Sequence, residues 1–302
     1  RCYWKRWATT QVLSESTESV SFKAPHSEGA HTPRQFIYNP KYRDVYEQDS
    51  IPLPETYAGY SNFPERFQAL PPDYKKKNEA RKRWHSRFPN HVQYEITVKS
   101  YYRLITGIDE VVGRIRETLK EMNLSENNII IYTSDNSFYP GEHGLAGKRY
   151  GHEESIRVPL IIYDPRQHTD KQGVINNEMV LNIDMAPTML SMAGISKPEA
   201  MQGESIYELN RGKAHDWRQH FFYEHYLNLS AVYIPTTEGV VTSKYKYMKY
   251  FPGKEERAVI YEEFFNLTHD PKERNNLHEN PEFRSKMDSV KSIFETVKMN
   301  AH

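Results

Sequence analysis

A short apolar run near the middle of the chain ends in polar residues whose types suit metal chemistry. Residues 129–132 are Ile-Ile-Ile-Tyr, and the next four residues are Thr133, Ser134, Asp135 and Asn136. A carboxylate and a side-chain amide oxygen at adjacent positions are the hard oxygen ligands that calcium and magnesium prefer. The sequence therefore predicts that Asp135 and Asn136 bind a metal ion.

A cation follows this polar cluster after a loop that contains glycines. Gly144 and Gly147 precede Lys148. Glycine lets the backbone approach a ligand closely, because it has no side chain to obstruct that approach. We therefore expect the loop to direct the positive charge of Lys148 at the same pocket.

The segments around the cluster predict the elements that must position it. The run 129–132 has polar residues on both sides, which is typical of an inner strand of a parallel sheet, and ligands bind at the carboxyl ends of such strands. Apolar residues at spacings of three and four predict an amphipathic helix over residues 96–122, and residues 158–163 predict a second strand. This order of helix, strand, loop and strand predicts an α/β fold with a central, mostly parallel sheet flanked by helices.

The pattern changes in the last third of the chain. Residues 182–193 predict a helix that ends before Gly194. Past Gly203, tyrosine-rich strands are predicted at 221–226, 240–250 and 260–266. A final predicted helix carries five apolar side chains on one face: Phe283, Met287, Val290, Phe294 and Val297.

Residues 34–91 are rich in proline, tyrosine and charge. The prolines at 52, 54, 64, 71, 72 and 89 predict an extended excursion over the surface, because proline breaks regular elements. The basic residues at 75–77 and 81–83 suit either a solvated helical face, which we favour, or attraction to a sulfated polysaccharide.

Composition excludes several classes of protein. The 302 residues include 40 basic and 40 acidic side chains, so the net charge favours neither nucleic acid nor an anionic membrane surface. No apolar run approaches the roughly 20 residues that span a bilayer. The single cysteine excludes an internal disulfide, and the 22 tyrosines suit either carbohydrate rings or sheet packing.

Three ordered stretches give the chain a resemblance to the sulfatase family. The first contains Thr-Ser-Asp-Asn at 133–136, Gly-Glu-His-Gly at 141–144, Gly-Lys at 147–148 and Glu-Glu-Ser-Ile-Arg-Val-Pro-Leu at 153–160. The second is Ser-Phe-Lys-Ala-Pro-His at 21–26, and the third is Asp-Pro-Lys-Glu at 270–273 with Asn-Leu at 276–277. The resemblance implies an alkaline-phosphatase-like α/β fold with a smaller C-terminal antiparallel sheet-plus-helix subdomain. We expect the boundary between residues 1–205 and 206–302.

The resemblance also implies an activity and a site. Sulfatases hydrolyse sulfate esters, here on a sulfated small molecule, carbohydrate or glycosaminoglycan, with Ca²⁺ and a formylglycine nucleophile. Asp135 and Asn136 match metal ligands of the family, while His26 and Lys148 match catalytic residues that neutralise the sulfate oxygens. His225 is our candidate for a substrate contact from the smaller subdomain. A periplasmic, secreted or lysosomal-type location is expected from the family.

One family motif is missing from the sequence. Formylglycine arises in Cys-x-Pro-x-Arg or Ser-x-Pro-x-Arg, and neither motif occurs here. Cys2 and Arg6 have that spacing, but Trp4 stands in place of the proline. The paired acidic residues of the first strand of the family are also missing. We therefore expect the chain to be the back part of a sulfatase, with an incomplete calcium site and no formylglycine.

Each candidate residue also has an ordinary structural interpretation. Asp135 and Asn136 suit a turn, Lys148 suits an exposed loop, and His26 suits a hydrogen-bonded core position. We expect His143 to be structural, with its ring satisfied by the backbone. Glu153, Glu154 and Arg157 are expected to form an ion-pair set.

Some positions depart from the family pattern, and two other functions remain open. Ser137 and Pro140 replace small or apolar residues, and Val241 stands where many relatives have arginine.

A phosphate or phosphonate ester hydrolase of the same superfamily would use similar ligands with another nucleophile. A non-catalytic remnant that binds sulfated glycans would need neither a nucleophile nor a full metal site.

Overall fold

The computed structural model of the protein describes residues 17–29, 35–57, 68, 72–167, 173–210, 217–226, 233–253, 255 and 257–301. The expectations for Cys2, Trp4 and Arg6 lie outside these residues. Within them, no helix is long and apolar enough to cross a membrane.

Three helices whose bounds the described residues define precede the candidate site. They are α1 (Pro72–Lys77), α2 (Glu79–Arg87) and α3 (His91–Glu121). Helix α3 confirms the predicted helix and begins before residue 96, because the side chain of Asn90 caps it by accepting a hydrogen bond of 2.8 Å from Gln93 N.

The expected surface excursion over residues 34–91 is wrong for its second half. Trp84 and Phe88 are fully buried and pack with Ile51, with Tyr94 of α3 and with Ala146 near the site. The Trp84 Nε1–H also donates a hydrogen bond of 3.2 Å to Gly141 O. The prolines do not interrupt these helices, since Pro72 occupies the first position of α1, where proline is tolerated. The basic residues of this segment differ in exposure: Lys76 and Lys77 are exposed, whereas Arg81 is buried.

The central strands pair differently from the expected parallel arrangement. Strand β1 (Ile130–Thr133) lies antiparallel to β4 (Leu160–Tyr163), with Ile130 opposite Tyr163. Between them lie β2 (Tyr139–Pro140), β3 (Ala146–Gly147) and the one-turn helix α4 (Glu153–Ile156). A parallel pair requires a crossover connection of a dozen or more residues, usually a helix, that carries the chain to the other end of the sheet. This segment folds back as a compact loop instead, so β4 returns alongside β1.

The predicted helix at 182–193 is present as a 3₁₀ turn, Asn182–Asp184, that leads into α5 (Met185–Met192). Asp184 is buried and accepts hydrogen bonds from Leu181 N at 2.7 Å and Glu204 N at 2.8 Å, and it pairs with Arg218 at 2.7 Å. These contacts fix Asn182, which touches the candidate metal turn. A short helix, α6 (Ile206–Asn210), follows.

The C-terminal part is a four-stranded antiparallel sheet in the order β5-β6-β7-β8, covered by one helix. Its elements are β5 (His220–His225), β6 (Thr236–Thr242), β7 (Tyr245–Phe251), β8 (Tyr261–Asn266) and α7 (Arg284–Ala301). The predicted strand at 240–250 is thus two strands joined by a turn, in which Thr242 Oγ1 accepts from Tyr245 N at 2.8 Å. Three side chains from α7 pack on this sheet: Met287, Val290 and Phe294.

The two parts of the chain share a core. One buried cluster contains Ala80, Tyr139 and Leu145 from the first part together with Val241 and Met248 from the sheet. The β2–β3 region, which carries Lys148, therefore rests on the C-terminal sheet. The expected domain boundary at residue 205 stays a prediction.

Candidate active site

Asp135 and Asn136 lie in a tight turn directly after β1. The Oδ1 atom of Asp135 accepts a hydrogen bond of 2.9 Å from Asn136 N, and Ser134 Oγ donates one of 2.8 Å to Asn136 O. Asn182 Nδ2 donates to the backbone oxygens of Ser134 and Asp135, each at 3.2 Å. The turn is therefore held by its own side chains and by the 3₁₀ turn.

These two residues fit part of a calcium site. The Asp135 side chain is exposed, and it supplies a carboxylate next to the amide oxygen of Asn136. Calcium takes about six to eight oxygen ligands. No group of three or more His, Cys, Asp or Glu residues that could hold a metal occurs among the described residues. The pair matches the hard oxygen donors that calcium prefers, but it does not complete a coordination shell.

Lys148 lies directly after β3 on the loop between the two central strands. Gly147 before it has a φ of 103°, a conformation that side chains rarely adopt. The required glycine at this position supports the expected role of the loop glycines. The amine of Lys148 is half-buried and forms no ion pair with any residue in the described part of the chain. A cation that has no carboxylate partner within the described ranges suits an anionic ligand.

His26 is exposed and lies next to Ser27, which contacts helix α2. Its Nδ1 atom is 2.7 Å from Ser27 O, and Ser27 Oγ accepts a hydrogen bond of 3.1 Å from Arg87 Nη2 of helix α2. The core interpretation of His26 is therefore wrong, because the side chain is accessible to solvent. Its expected contact with sulfate stays a prediction.

His225 ends strand β5 of the smaller part. Its Nδ1 atom is shielded from solvent and has no hydrogen-bond partner among the described residues. Burial, together with the positive charge of Arg149, lowers the pKa of His225 to about 4. The imidazole is therefore neutral at pH 7.

Two stacked histidines form the centre of the loop. The rings of His143 and His152 are 4.4 Å apart with an angle of 21° between their planes. His143 Nε2 lies 3.2 Å from Glu154 Oε2, and His152 Nδ1 lies 2.8 Å from Tyr139 Oη. His143 is buried, and its ring contacts the carboxylate of Glu154. Burial alone would raise the pKa of Glu154, but the hydrogen bond and charge of His143 lower it to about 2.

A buried lysine that was not among the predicted site residues joins the loop to the C-terminal sheet. Lys246 of β7 is 0% exposed, and its amine lies 2.7 Å from Glu153, 2.8 Å from Glu273 and 2.9 Å from Gly151 O. Burial opposes the charge of Lys246, but the two carboxylates outweigh it and raise its pKa. A lysine that alternates with Tyr245 and Tyr247 resembles an ordinary exposed strand residue, so only the pairing could reveal its role.

The expected ion-pair set is only partly formed. Glu153 pairs mainly with Lys246, while Arg157 is 80% exposed with its guanidinium 4.0 Å from Glu153. Val241, at the position where many relatives have arginine, is buried in the sheet core. No substrate contact is available from that position.

Glu142 is a buried acid that sequence analysis also missed. Its Oε2 atom is shielded and has no hydrogen-bond partner among the described residues. Burial raises the pKa of Glu142 to about 7, with a further contribution from the negative charge of Glu154. A carboxyl group of this kind exchanges its proton near neutral pH.

The fold and this loop place the protein among the alkaline-phosphatase-like hydrolases. A family model described as "Sulfatase" matches residues 16–195, and one described as "N-sulphoglucosamine sulphohydrolase, C-terminal" matches residues 141–300. The chain belongs to the sulfatase family and is, by family, a sulfuric ester hydrolase.

Similar proteins agree with this assignment. The chain is 31% identical over 206 residues to an N-acetylglucosamine-6-O-sulfatase of Bacteroides thetaiotaomicron. The aligned residues make up 67% of this chain and 36% of that protein. The chain thus spans about a third of the length of this relative.

Solved structures with the same fold confirm the predicted fold class. One is an enzyme in complex with its substrate D-glucosamine-2-N,6-O-disulfate, with a TM-score of 0.71, 22% identity, and coverage of 92% of this chain and 64% of that chain. Another is a phosphonate monoester hydrolase from Silicibacter pomeroyi, with a TM-score of 0.72, 20% identity, and coverage of 89% and 54%. At these identities the similarity establishes the fold alone.

Proposed function

We propose that the chain carries part of the substrate site of a sulfatase that acts on a sulfated carbohydrate, with Lys148 as the residue that holds the sulfate group. The observation that carries the proposal is the amine of Lys148, which has no ion-pair partner among the described residues and lies on a loop fixed by Gly147 and by the buried Lys246 contacts. A cation that is held in place and not bound to a carboxylate attracts an anionic group. The loop does not have to rearrange when that group binds. His26 contributes a second positive or hydrogen-bonding group, and His225 contacts the substrate from the C-terminal sheet.

Asp135 and Asn136 would hold Ca²⁺ beside the sulfate. A bound calcium ion supplies positive charge that polarises the ester and stabilises the charge that develops on oxygen. The remaining residues of this chain bind and orient the substrate. The sequence has no formylglycine motif, so we derive no nucleophilic step for this chain.

A ligand titration tests the role of Lys148. We expect glucosamine 6-sulfate to bind the protein at least tenfold more tightly than glucosamine in isothermal titration calorimetry, because only the sulfated sugar pairs with Lys148. Lys148→Ala removes this difference, whereas Lys120→Ala, at an exposed position in α3, leaves it unchanged. Equal binding of the two sugars by the wild-type protein contradicts the proposal.

The metal pair gives a separate expectation. We expect the protein to bind Ca²⁺ weakly, with a dissociation constant in the millimolar range of sparsely liganded sites, about 10⁻³ M. Asp135→Asn should abolish this binding in a calorimetric titration. Micromolar or tighter binding would show that other residues complete the site.

A phosphonate or phosphate ester hydrolase is the second candidate, because a phosphonate monoester hydrolase shares the fold. Paired sulfate and phosphate monoesters of the same sugar separate the two candidates. Tighter binding of the sulfate ester supports a sulfatase, and tighter binding of the phosphate ester supports the alternative. Binding of sulfated glycans without turnover would support the non-catalytic remnant. The periplasmic, secreted or lysosomal-type location stays a prediction.

A further inference from the structure

Two buried polar atoms close to Lys148 have no hydrogen-bond partner in the described part of the chain. They are Arg149 Nη1 and His225 Nδ1, and both are shielded from solvent. A buried polar group without a partner destabilises the folded protein, because it has lost its hydrogen bonds to water. Such groups are rare in folded proteins and indicate a bound water, ion or ligand group.

These two atoms lie in the same region. Arg149 follows β3, and His225 ends β5, which belongs to the smaller part of the protein. The two segments touch near Gly151, where an added Cβ would lie 3.3 Å from the ring of Tyr223, two residues before His225. The charge of Arg149 also acts on His225, since it helps burial to lower the pKa of that imidazole.

The backbone of Arg149 is held in an uncommon conformation. Its φ is 94°, which is rare for any residue other than glycine. A hydrogen bond of 3.0 Å from Arg149 N to Ser155 Oγ keeps it there. Strained backbone of this kind is concentrated at functional sites, where it directs a side chain. Here it accompanies a guanidinium group whose charge reaches His225 of the C-terminal sheet.

The local charge is positive. Lys148 and Arg149 are adjacent, and Arg83 lies beside them, where its charge acts with burial to lower the pKa of Arg149. Glu79 is the nearby carboxylate, and it is already bound to Arg83 through a hydrogen bond of 2.8 Å. A planar guanidinium group matches the paired oxygens of a carboxylate or sulfate, and a neutral imidazole can donate one further hydrogen bond.

We propose that Arg149 and His225 form a second anion-binding subsite, separate from Lys148, that holds another acidic group of the substrate, either a carboxylate or a second sulfate. This inference rests on the proposed function, because the same loop presents both cations to one ligand. It narrows the substrate class to carbohydrates with at least two negative charges.

Nuclear magnetic resonance of the full chain, labelled at histidine, lysine and arginine, tests the subsite with inorganic sulfate and acetate as probes. We expect saturable shifts of the His225 ring signals, which the variant His225→Asn assigns. Arg149→Gln should weaken this response at least tenfold, and Arg149→Lys should weaken it less, because the charge remains. Lys148→Ala and the exposed control Arg114→Gln should leave the His225 response unchanged. The relative strength of the two probes identifies the acidic group.

The outcomes separate this inference from the proposed function. A sulfate response of Lys148 without one of His225 overturns the second subsite and leaves the sulfate-binding role of Lys148 intact. A response of His225 that needs Arg149, without one of Lys148, supports the subsite and overturns the proposed function. An unchanged His225 response in a folded Arg149→Gln protein also overturns the subsite. Absence of both responses overturns both proposals.

Discussion

The C-terminal sheet and the loop between β1 and β4 are built in different ways. The sheet takes most of its contacts from its own strands and from α7, which follows it in sequence. The loop is held by hydrogen bonds from residues that are distant in sequence. Arg81 Nη1 donates to Gly144 O at 3.0 Å, and a carboxylate oxygen of Glu273 accepts from Glu153 N at 2.7 Å. The C-terminal sheet is therefore stabilised mainly by its own contacts, whereas the shape of the loop depends on partners that are distant in sequence.

Their charged groups differ in the same way. In the sheet, buried Glu238 is paired with both Arg257 and Lys298, so its negative charge is neutralised. In the loop, Glu142, Lys148 and Arg149 each have at least one polar atom without a partner among the described residues. Satisfied polar groups stabilise a fold, while unsatisfied ones near a loop are available for binding. This difference supports the proposal that the loop binds the substrate, together with His225 at the edge of the sheet, whose Nδ1 atom also lacks a partner among the described residues.

The largest expected effect comes from removing the link between the two regions. Lys246→Met leaves the buried carboxylate of Glu273 and the half-buried carboxylate of Glu153 without this cation, so we expect a loss of about 3–5 kcal/mol in the free energy of unfolding. Lys249→Met, on the same strand, removes a partly exposed pair with Glu295 at 3.2 Å and a cation–π contact 4.6 Å from the Phe294 ring, and it should cost about 1–2 kcal/mol. Urea denaturation followed by circular dichroism measures both. Equal losses would show that the buried network is not the main link.

A pH-dependent effect of intermediate size is expected at Glu142. Its pKa is raised by burial from 4.5 to about 7 in the folded protein. Between pH 4.5 and pH 7, the Glu142 carboxyl group loses its proton in the unfolded chain but keeps it in the folded protein. Rising pH therefore destabilises the wild-type protein. Glu154 and Lys272 are the charged groups that act on it, and Tyr94 packs nearby.

Glu142→Gln removes this titration. We expect its free energy of unfolding, relative to the wild-type protein, to increase by about 3 kcal/mol between pH 4.5 and pH 7. Glu126→Gln, at an exposed position, should show no such trend. Denaturant unfolding at several pH values measures the difference, and parallel curves for Glu142→Gln and wild type would contradict it.

The smallest effect contrasts two glycines. Gly147→Ala forces a side chain into a φ of 103°, so we expect a loss of about 1–2 kcal/mol and weaker sulfate binding by Lys148. Gly113→Ala lies in helix α3 with no atom within 4 Å of the added Cβ, and it should gain about 0.5–1 kcal/mol. Thermal unfolding distinguishes the two signs. A stabilising Gly147→Ala would show that the loop does not need this conformation.

The sequence predicted those elements whose information is local. Helix α3, the last helix and the tyrosine-rich strands follow from periodicity, and the sulfatase motifs located the loop. The antiparallel pairing of β1 and β4 was missed because an apolar run has the same pattern in either direction. The buried helix that carries Trp84 was missed because the nearby prolines obscured its pattern.

The candidate site was only partly predictable, because local motifs are visible in the sequence whereas distant contacts are not. Lys148 and the Asp135–Asn136 pair were selected from their motifs. Glu142, Arg149 and Lys246 become candidates only when burial and missing or distant partners are known, and neither is visible in the order of residues.

The most direct test of this account is a crystal structure of the protein with glucosamine 6-sulfate bound. We predict that the sulfate group lies within hydrogen-bond distance of the Lys148 amine, on the face of the loop that also presents Arg149 and His225. A sulfate group bound away from the Lys148 loop, with the amine left unpaired, would contradict the central claim.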